Sequence, residues 1–333
     1  MYKGKRIAVV VPAYNEEGFV GNVIQTVPPY VDRIYPVDDC SDDRTWTEIR
    51  ATAAVVNASS ESPPAEAVEP VTDGGEPARV VPIQHERNRG VGAAIKTGYR
   101  RAMADGTDVI AVMNGDGQMD PAILDRILDP VVEGKAGYSK GNRLDTSEHW
   151  EGMSGWRLFG NVVLTGLTRV ASGYWHMMDP QNGYTAISAS TLEELDLDEL
   201  YDEYGFLNDM LVRLNVQNVT IADVEMSAVY GDESSSIRYH RFIPTLSWLL
   251  LRTFLWRLRQ QYVTGERRST VPYLLGLVGA VMAPALVLLG MTALDLSPTL
   301  GGGVVLLVCL LLIALGMALE RRQSGRLELT VRH

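Results

Sequence analysis

The chain has 333 residues, of which 46% are apolar, so it is long enough to bury the core of a catalytic domain and still form a second unit. Its formal net charge is −11, and residues 1–240 carry 37 of the 41 acidic residues against 20 of the 30 basic ones. An acidic surface of this kind argues against nucleic-acid binding.

Residue usage bears on the cellular setting of the chain. Only five of the 30 basic residues are lysine, a bias typical of proteins from salt-loving archaea. Cys40 and Cys309 lie far apart in the sequence, which indicates a reducing compartment and no disulfide framework. The amino terminus has a basic start and a short apolar run but no small-residue cleavage site, so no signal peptide is predicted.

Four short apolar runs alternate with helical patterns in the first part of the chain. The runs cover residues 7–11, 34–37, 80–83 and 109–113, and each ends in polar or glycine-rich residues. This alternation predicts an α/β fold with a doubly wound, mostly parallel sheet. The carboxyl ends of such strands share one edge of the sheet, where an open α/β fold binds its ligand.

Two segments beside the third run have no functional interpretation. Residues 57–78 are rich in Ser, Pro, Glu, Ala and Gly, and we predict a disordered insertion there because they offer little apolar surface to bury. Gly90 and Gly92 superficially resemble a phosphate-binding loop, but Gly-Lys-Ser/Thr at the required spacing is absent. Close packing of the helix that starts there explains both glycines.

The fourth run is followed by the most informative stretch of the chain, Asn114-Gly115-Asp116-Gly117-Gln118. Asp116 and Gln118 carry hard oxygen donors, which suit Mg²⁺ or Mn²⁺ bound to a diphosphate. A polar strand-to-helix turn, capped by Asp and Gly, is the alternative interpretation.

The last third of the chain is basic and apolar. Residues 241–268 include a segment of leucines interleaved with Arg252, Arg257 and Arg259. This pattern suits a helix lying among lipid head groups, and it suits equally an amphipathic helix packed on the catalytic domain.

Two uncharged apolar runs, residues 271–294 and 300–319, are each long enough to cross a bilayer as a helix and together predict a transmembrane hairpin. Arginines flank the hairpin on both sides, so the positive-inside rule places both flanks in the cytoplasm. We therefore expect a two-helix membrane protein whose catalytic domain (residues 1–240), tail (residues 320–333) and both termini are cytoplasmic.

Seven motifs in order resemble a known family. They are VVPAYNEE, VDDCSDD, NRGVGAAIKTGYRRA, NGDGQMDP, KGNR, DPQNGY and YGFLND, and they extend from residue 7 to about residue 239. Together they resemble the inverting glycosyltransferases of family 2, which have the GT-A fold, and within them the polyprenyl or dolichyl phosphate sugar transferases such as dolichol-phosphate mannose synthases. Residue 114 departs from the pattern, since family members usually have Asp where this chain has Asn.

The resemblance implies roles for residues along the predicted sheet edge. Mg²⁺ or Mn²⁺ would be held by Asp116 and Gln118. Residues lining the nucleotide pocket would be Pro12, Tyr14, Glu16, Asp39, Asn114 and Asp116. The alternatives are favourable charge at a helix start for Glu16 and helix capping for Asp39.

Further residues would bind the acceptor and the sugar. A phosphate acceptor is largely dianionic at neutral pH, because its second pKa is about 6, so it needs cations more than a base. The phosphate ligands would be Lys140, Arg143, Arg238 and Arg241, with attraction of Arg238 and Arg241 to lipid head groups as the alternative. Asp209 and Asp179 match acidic positions assigned to catalysis, although Asp209 would serve equally by orienting a substrate; with Arg143 they form the predicted catalytic set, and Gln181 and Tyr184 would shape the sugar pocket.

The implied activity is transfer of one hexose-type sugar from a UDP- or GDP-linked donor to polyprenyl or dolichyl phosphate at the membrane. Such lipid-linked sugar would supply protein N-glycosylation or cell-surface glycans. Two alternatives stay open: a catalytically silent membrane scaffold of the same fold, suggested by Asn114, and a transferase acting on a protein or glycan. Homo-oligomerisation is also left open.

Overall fold

A central sheet organises the chain. The computed structural model describes residues 1–60, 78–143, 155–226, 239–264, 270–293 and 298–331. Over these residues eight strands form one sheet in the order β3-β2-β1-β4-β6-β5-β7-β8. The strands are β1 (Ile7–Ala13), β2 (Arg33–Asp38), β3 (Ile83–Gln84), β4 (Val109–Val112), β5 (Tyr138–Asn142), β6 (Thr185–Ser188), β7 (Ile221–Glu225) and β8 (Glu328–Val331).

Helices connect and cover these strands. In chain order they are α1 (Val20–Thr26), α2 (Thr45–Ser60), α3 (Val91–Ala104), α4 (Leu124–Val132), α5 (Gly155–Ser172), α6 (Ala189–Glu193), α7 (Phe206–Val216), α8 (Tyr239–Thr264), α9 (Thr270–Ala293) and α10 (Pro298–Ser324). A single 3₁₀ turn, Pro121–Ile123, precedes α4, and its backbone is capped by Asp120.

The continuous apolar character of β1 reflects burial on both of its faces. Ile7, Val9 and Val11 point into one apolar core, whereas Ala8 and Val10 point into the other. A strand covered by helices on both sides has no polar face, which is why its sequence does not alternate.

The sheet confirms the predicted mostly parallel α/β architecture and adds one reversal. Strands β3, β2, β1 and β4 are parallel neighbours. The next strand, β6, runs antiparallel to both β4 and β5, while β7 and β8 are again parallel to β5. The third predicted strand is reduced to Ile83–Gln84 and an isolated parallel bridge between Ile34 and Val80.

The beginning of the predicted insertion is helical. Helix α2 continues to Ser60, and the Asn57 side chain within it donates to the Val80 carbonyl at 2.9 Å and accepts from the Val80 N–H at 2.8 Å. Residues 61–77 lie outside the described residues.

Helix α8 combines features of both sequence interpretations. Leu246, Leu249 and Leu250 are buried in a cluster with residues of α5 and α7, as expected for a helix packed on the catalytic domain. Its other side exposes large side chains, including Trp248, which is 66% exposed, and Leu255, which is 46% exposed. Such exposed apolar surface is what a lipid-facing helix presents.

Helices α9 and α10 pack against each other in antiparallel fashion. A Cβ at Gly276 would lie 2.9 Å from the Cys309 carbonyl, and one at Gly316 would lie 2.9 Å from the Tyr273 ring, so both glycines permit close approach of the helices. Among the described residues, one segment is long and apolar enough to cross a membrane, Gly303–Ser324, and 17% of its most apolar stretch is buried. The corresponding apolar part of α9, Val271–Ala283, is shorter.

The carboxyl-terminal residues return to the sheet. The segment predicted as a tail from residue 320 starts inside α10, which ends at Ser324, and its residues 328–331 form β8 beside β7. Strand β7 has an unpaired edge without this addition, and β8 satisfies the hydrogen bonds of that edge.

Candidate active site

The loops after β1 and β2 are joined at the carboxyl edge of the sheet. The backbone N–H of Asn15 donates to the Ser41 hydroxyl at 2.9 Å, and the Asn15 side chain accepts from the Asp42 N–H at 2.9 Å. The predicted nucleotide residues Pro12, Tyr14 and Glu16 come from this region, where Pro12 is buried and Tyr14 is 42% exposed. Tyr14 is therefore accessible to an incoming ligand, whereas Pro12 is covered by its neighbours.

Glu16 and Pro12 are held by backbone contacts. The Glu16 N–H donates to Thr45 Oγ1 at 2.7 Å, which fixes this residue against the start of α2. The Pro12 carbonyl accepts from the Gly115 N–H at 3.1 Å, so the end of β1 touches the loop after β4.

Asp39 is buried and fully engaged by the protein. Its carboxylate accepts from the backbone N–H groups of Arg89 at 2.9 Å and Gly90 at 2.7 Å, and it lies 2.6 Å from His85 Nδ1. Through these bonds Asp39 positions the loop before α3. Its predicted contact with a nucleotide base stays a prediction.

The glycines of that loop are explained by packing, as predicted. Gly90 has φ 96°, and a Cβ there would lie 2.5 Å from the Asp202 carbonyl. A Cβ at Gly92 would lie 2.5 Å from the Tyr201 carbonyl. Only glycine allows the start of α3 to approach this backbone so closely.

Asp116 lies in the loop after β4, half-buried beside Asn114. Its carboxylate accepts from the Gln118 N–H at 3.0 Å. Burial raises the pKa of the Asp116 carboxyl above its usual value, although the bonds from Gln118 and Asn114 and the charge of Arg143 act in the opposite direction. Ionised Asp116 is therefore an incompletely compensated anion, which a cation would stabilise.

This donor set fits a metal ion that arrives with its substrate. Among the described residues, no group of three or more His, Cys, Asp and Glu side chains could hold a metal. Mg²⁺ is commonly held by one or two carboxylates together with substrate phosphates and water. One carboxylate at Asp116, with the amide oxygens of Asn114 and Gln118 in the same loop, matches that arrangement.

Arg143 and Asp179 form a bidentate ion pair beside this loop. Arg143 Nε donates to Asp179 Oδ2 at 2.7 Å and Nη2 donates to Oδ1 at 3.1 Å. Burial opposes ionisation of Asp179, but the hydrogen bonds and charge of Arg143 outweigh it and hold the pKa of that carboxyl below its usual value. Asp179 is thus a poor proton acceptor and a good anchor for the guanidinium.

Lys140 is placed in the interior instead of at the surface of the site. Its side chain is 1% exposed, and Nζ lies 2.5 Å from Asp223 Oδ1 and donates to the Met178 carbonyl. Burial raises the pKa of Asp223, and the charge of Lys140 offsets part of that effect. The predicted contact of Lys140 with an acceptor phosphate has no support from these bonds.

Asp209 also points into the protein. Its carboxylate accepts from the Tyr201 N–H at 3.0 Å and lies 3.4 Å from Arg213 Nε. Burial raises the pKa of Asp209, with Arg213 acting against the shift. Its neighbour Asn208 instead accepts from Gln181 Nε2 at 2.8 Å, which connects α7 to the segment carrying Asp179.

The remaining predicted residues are dispersed. Tyr184 is fully buried in the core, where its hydroxyl donates to the Asp120 carbonyl at 3.0 Å. It therefore stabilises the loop after β4 from within the core. Arg241 belongs to the first turn of α8, and Arg238 lies outside the described residues.

Sequence reasoning missed Asp223 and Glu328. Asp223 lies in β7, and an acidic residue flanked by apolar residues inside a strand was the available signal for a buried partner. Glu328 lies beyond the apolar helices, and no local pattern indicated its partners.

Comparisons with known proteins agree with this arrangement. The chain matches the family Glycosyl transferase family 2 over residues 8–196. It is 26% identical over 231 residues to UDP-N-acetylglucosamine–dolichyl-phosphate N-acetylglucosaminyltransferase of Methanococcus voltae, covering 69% of this chain and 88% of the relative. It is 28% identical over 239 residues to undecaprenyl-phosphate mannosyltransferase of Micrococcus luteus, covering 67% and 84%.

Its fold is similar to that of glucosyl-3-phosphoglycerate synthase from Mycobacterium tuberculosis, solved with Mn²⁺, UDP-glucose and phosphoglyceric acid. The TM-score is 0.53 at 20% identity, over 76% of this chain and 80% of the other. Because the family match covers more than half of the sequence, this chain is a member of glycosyltransferase family 2.

Proposed function

We propose that this protein is a membrane-anchored inverting glycosyltransferase that moves a single hexose-type sugar from a UDP- or GDP-linked donor to polyprenyl or dolichyl phosphate. The observation that carries the proposal is the half-buried Asp116 carboxylate in the loop after β4, together with Arg143 held by Asp179 at the carboxyl edge of the sheet. The names of the relatives from Methanococcus voltae and Micrococcus luteus support the lipid phosphate acceptor.

The donor would lie along the edge formed by the loops after β1, β2 and β4. Asp116, with Asn114 and Gln118, would hold Mg²⁺ or Mn²⁺, and the bound ion would supply positive charge to the diphosphate leaving group. Tyr14, exposed at the end of β1, would lie against the nucleotide base, with Glu16 near its ribose.

The acceptor needs cationic residues more than a base. One phosphate oxygen forms a bond to the anomeric carbon on the face opposite the leaving nucleoside diphosphate, and the bond from that carbon to the diphosphate breaks, with its electron pair leaving on the diphosphate. No proton has to move, because the phosphate monoester is already largely ionised at neutral pH. Arg143 is oriented by Asp179, and its guanidinium would bind the phosphate.

The apolar helices supply the anchor in this proposal. Helices α9 and α10 would form the two-helix hairpin, and the exposed apolar side of α8 would lie against lipid head groups. The basic residues that flank the hairpin would face the cytoplasm, which puts the sheet edge on the side where nucleotide sugars are made.

The experiment is a donor and acceptor screen with the purified protein in lipid nanodiscs. Radiolabelled UDP- and GDP-linked hexoses are offered with dolichyl phosphate and either Mg²⁺ or Mn²⁺, and label is followed into the organic phase. We expect label there with the wild type, collapse in Asp116→Asn, and unchanged transfer in Asp108→Asn, whose carboxylate lies at the opposite end of β4 and accepts from the Arg6 N–H.

Two outcomes would replace the proposal. Label confined to protein or glycan would indicate a different acceptor. Absence of label across all donors and ions would favour a catalytically silent scaffold, the role that Asn114 first suggests.

A further inference from the structure

Three consecutive backbone N–H groups converge on one carboxylate from the far end of the chain. Trp175 donates to Glu328 Oε1 at 2.8 Å, and His176 and Met177 each donate to Oε2 at 2.7 Å. The Glu328 side chain is 6% exposed. A concave array of successive N–H groups is a strong site for an anion, here supplied by the protein itself.

The same segment leads directly into the Arg143–Asp179 pair. The next N–H, that of Met178, donates to Asp223 Oδ2 at 2.7 Å, and the Met178 carbonyl accepts from Lys140. Asp179 follows with φ 44°, in the left-handed region that a non-glycine residue adopts only when its surroundings hold it there. Two buried carboxylates therefore fix the four residues before Asp179.

The origin of Glu328 makes this contact informative. It is the first residue of β8, which follows apolar helix α10 and pairs with β7 in the register Ile221 to Glu328. Trp175 also contacts α10 itself, because its indole Nε1 donates to Glu320 Oε2 at 3.2 Å. The chain that leaves the catalytic domain for the apolar helices thus comes back to brace the segment that carries Asp179.

We propose that Glu328 is a positioning residue for the transfer reaction, acting through the backbone of residues 175–178 to hold Asp179 and, through it, Arg143 in place for the acceptor phosphate. The proposal rests on the proposed function for the identity of the acceptor. Glu328 lies outside the loops after β1, β2 and β4 where the donor would bind, so we expect its loss to weaken acceptor binding.

The test compares Glu328→Gln, Glu328→Asp and the control Thr330→Val, an exposed position on the same strand. Glutamine keeps the size of the side chain, but it offers one oxygen to three N–H donors and turns its own N–H₂ toward them. We expect about a tenfold rise in the KM for dolichyl phosphate with the KM for the nucleotide sugar unchanged, partial rescue in Glu328→Asp, and wild-type values in Thr330→Val.

A double variant separates positioning from general damage. If Glu328 acts through Arg143, Glu328→Gln adds little to the loss already caused by Arg143→Lys, because coupled residues are not additive. Full additivity, or equal rises in both KM values, would overturn the proposal.

A second measurement needs no substrate. Hydrogen exchange of the peptide spanning residues 175–182 should be faster in Glu328→Gln than in the wild type, with peptides of β1 and β4 unchanged. Unchanged exchange in that peptide would overturn the positioning role. If the wild type transfers no sugar to any lipid phosphate, the proposed function fails, and the exchange result still decides whether Glu328 braces the segment.

Discussion

Replacing Arg257 by methionine should strongly destabilise the packing of α8 and α10 on the catalytic domain. Arg257 and Glu320 are both completely buried and form an ion pair. Arg257 also caps the end of α5, since Nε donates to the Ala171 carbonyl and Nη2 to the Val170 carbonyl, each at 2.8 Å. Methionine fills similar space but leaves the Glu320 carboxylate buried without its cation.

The expected cost follows from these contacts. Breaking a buried ion pair by removing one partner costs about 3–5 kcal/mol. Glu320 keeps bonds from Tyr273 and Trp175, which lowers the cost, whereas the two uncapped carbonyls of α5 raise it by about 1 kcal/mol each. We therefore expect about 4 kcal/mol, equivalent to a fall of about 10 °C in the unfolding midpoint of a domain of this size.

The assay is thermal unfolding in detergent micelles, followed by tryptophan fluorescence. Arg259→Met is the matched control, because Arg259 is exposed two residues further along the same helix, and its midpoint should stay near that of the wild type. The double variant Arg257→Met/Glu320→Leu should recover much of the loss, since it removes both charges. A midpoint for Arg257→Met close to the wild-type value, or a double variant that is the least stable of the three, would refute this account of the packing.

Three further predictions concern the site. Because burial raises the pKa of Asp116 in the folded protein, this carboxyl loses its proton at lower pH in the unfolded state. The free energy of unfolding of the metal-free protein should therefore fall as the pH rises from about 4 through the raised pKa. Asp116→Asn should remove that fall, which unfolding at a series of pH values measures. Asp209→Asn keeps an oxygen for the Tyr201 N–H, so sugar transfer should fall less than about tenfold. The acidic limb of the kcat/KM profile should stay near pH 6, which is about the second pKa of the acceptor phosphate. A loss of about 100-fold or more with a displaced limb would instead assign Asp209 the role of base. Asn114→Asp adds a second carboxylate beside Asp116, so this variant should bind Mn²⁺ more tightly than the wild type does in the absence of nucleotide. Calorimetric titration measures the difference, and equal binding would show that residue 114 lies too far from the ion to contribute.

The parallel half of the sheet was predictable because its information is local. Each of the runs in β1, β2 and β4 is apolar on both faces and ends abruptly in polar residues, which sets both the element and the edge where the ligand-binding loops gather. The antiparallel strand β6 was not predictable in the same way. Its direction depends on pairing with β4 and β5, and four residues of sequence do not specify the neighbours of a strand.

Side-chain roles were harder to predict than positions along the chain. Lys140 was expected at a phosphate, yet its partner Asp223 is 83 residues away and its environment is set by β5 lying beside β7. Tyr184 was expected at the sugar, but it lies directly before β6 with its side chain buried in the core. In both cases the motif located the residue, whereas the pairing of distant strands decided which partners its side chain reached.

The return of the chain to the sheet would give the proposed membrane anchor a consequence beyond attachment. A lipid phosphate is confined to the level of the head groups, so an enzyme acting on it needs its catalytic edge at a fixed height and orientation above the bilayer. A flexible linker would leave that height undefined, because a chain of even ten residues samples distances of roughly 15–20 Å. Here α10 is held at Glu320 by buried Arg257 and continues into β8, so the apolar hairpin and the sheet are joined through both an ion pair and a hydrogen-bonded strand. Glu328, at the start of β8, also holds the segment before Asp179. The contacts that would set the height of the domain are therefore connected to the residues proposed to bind the acceptor.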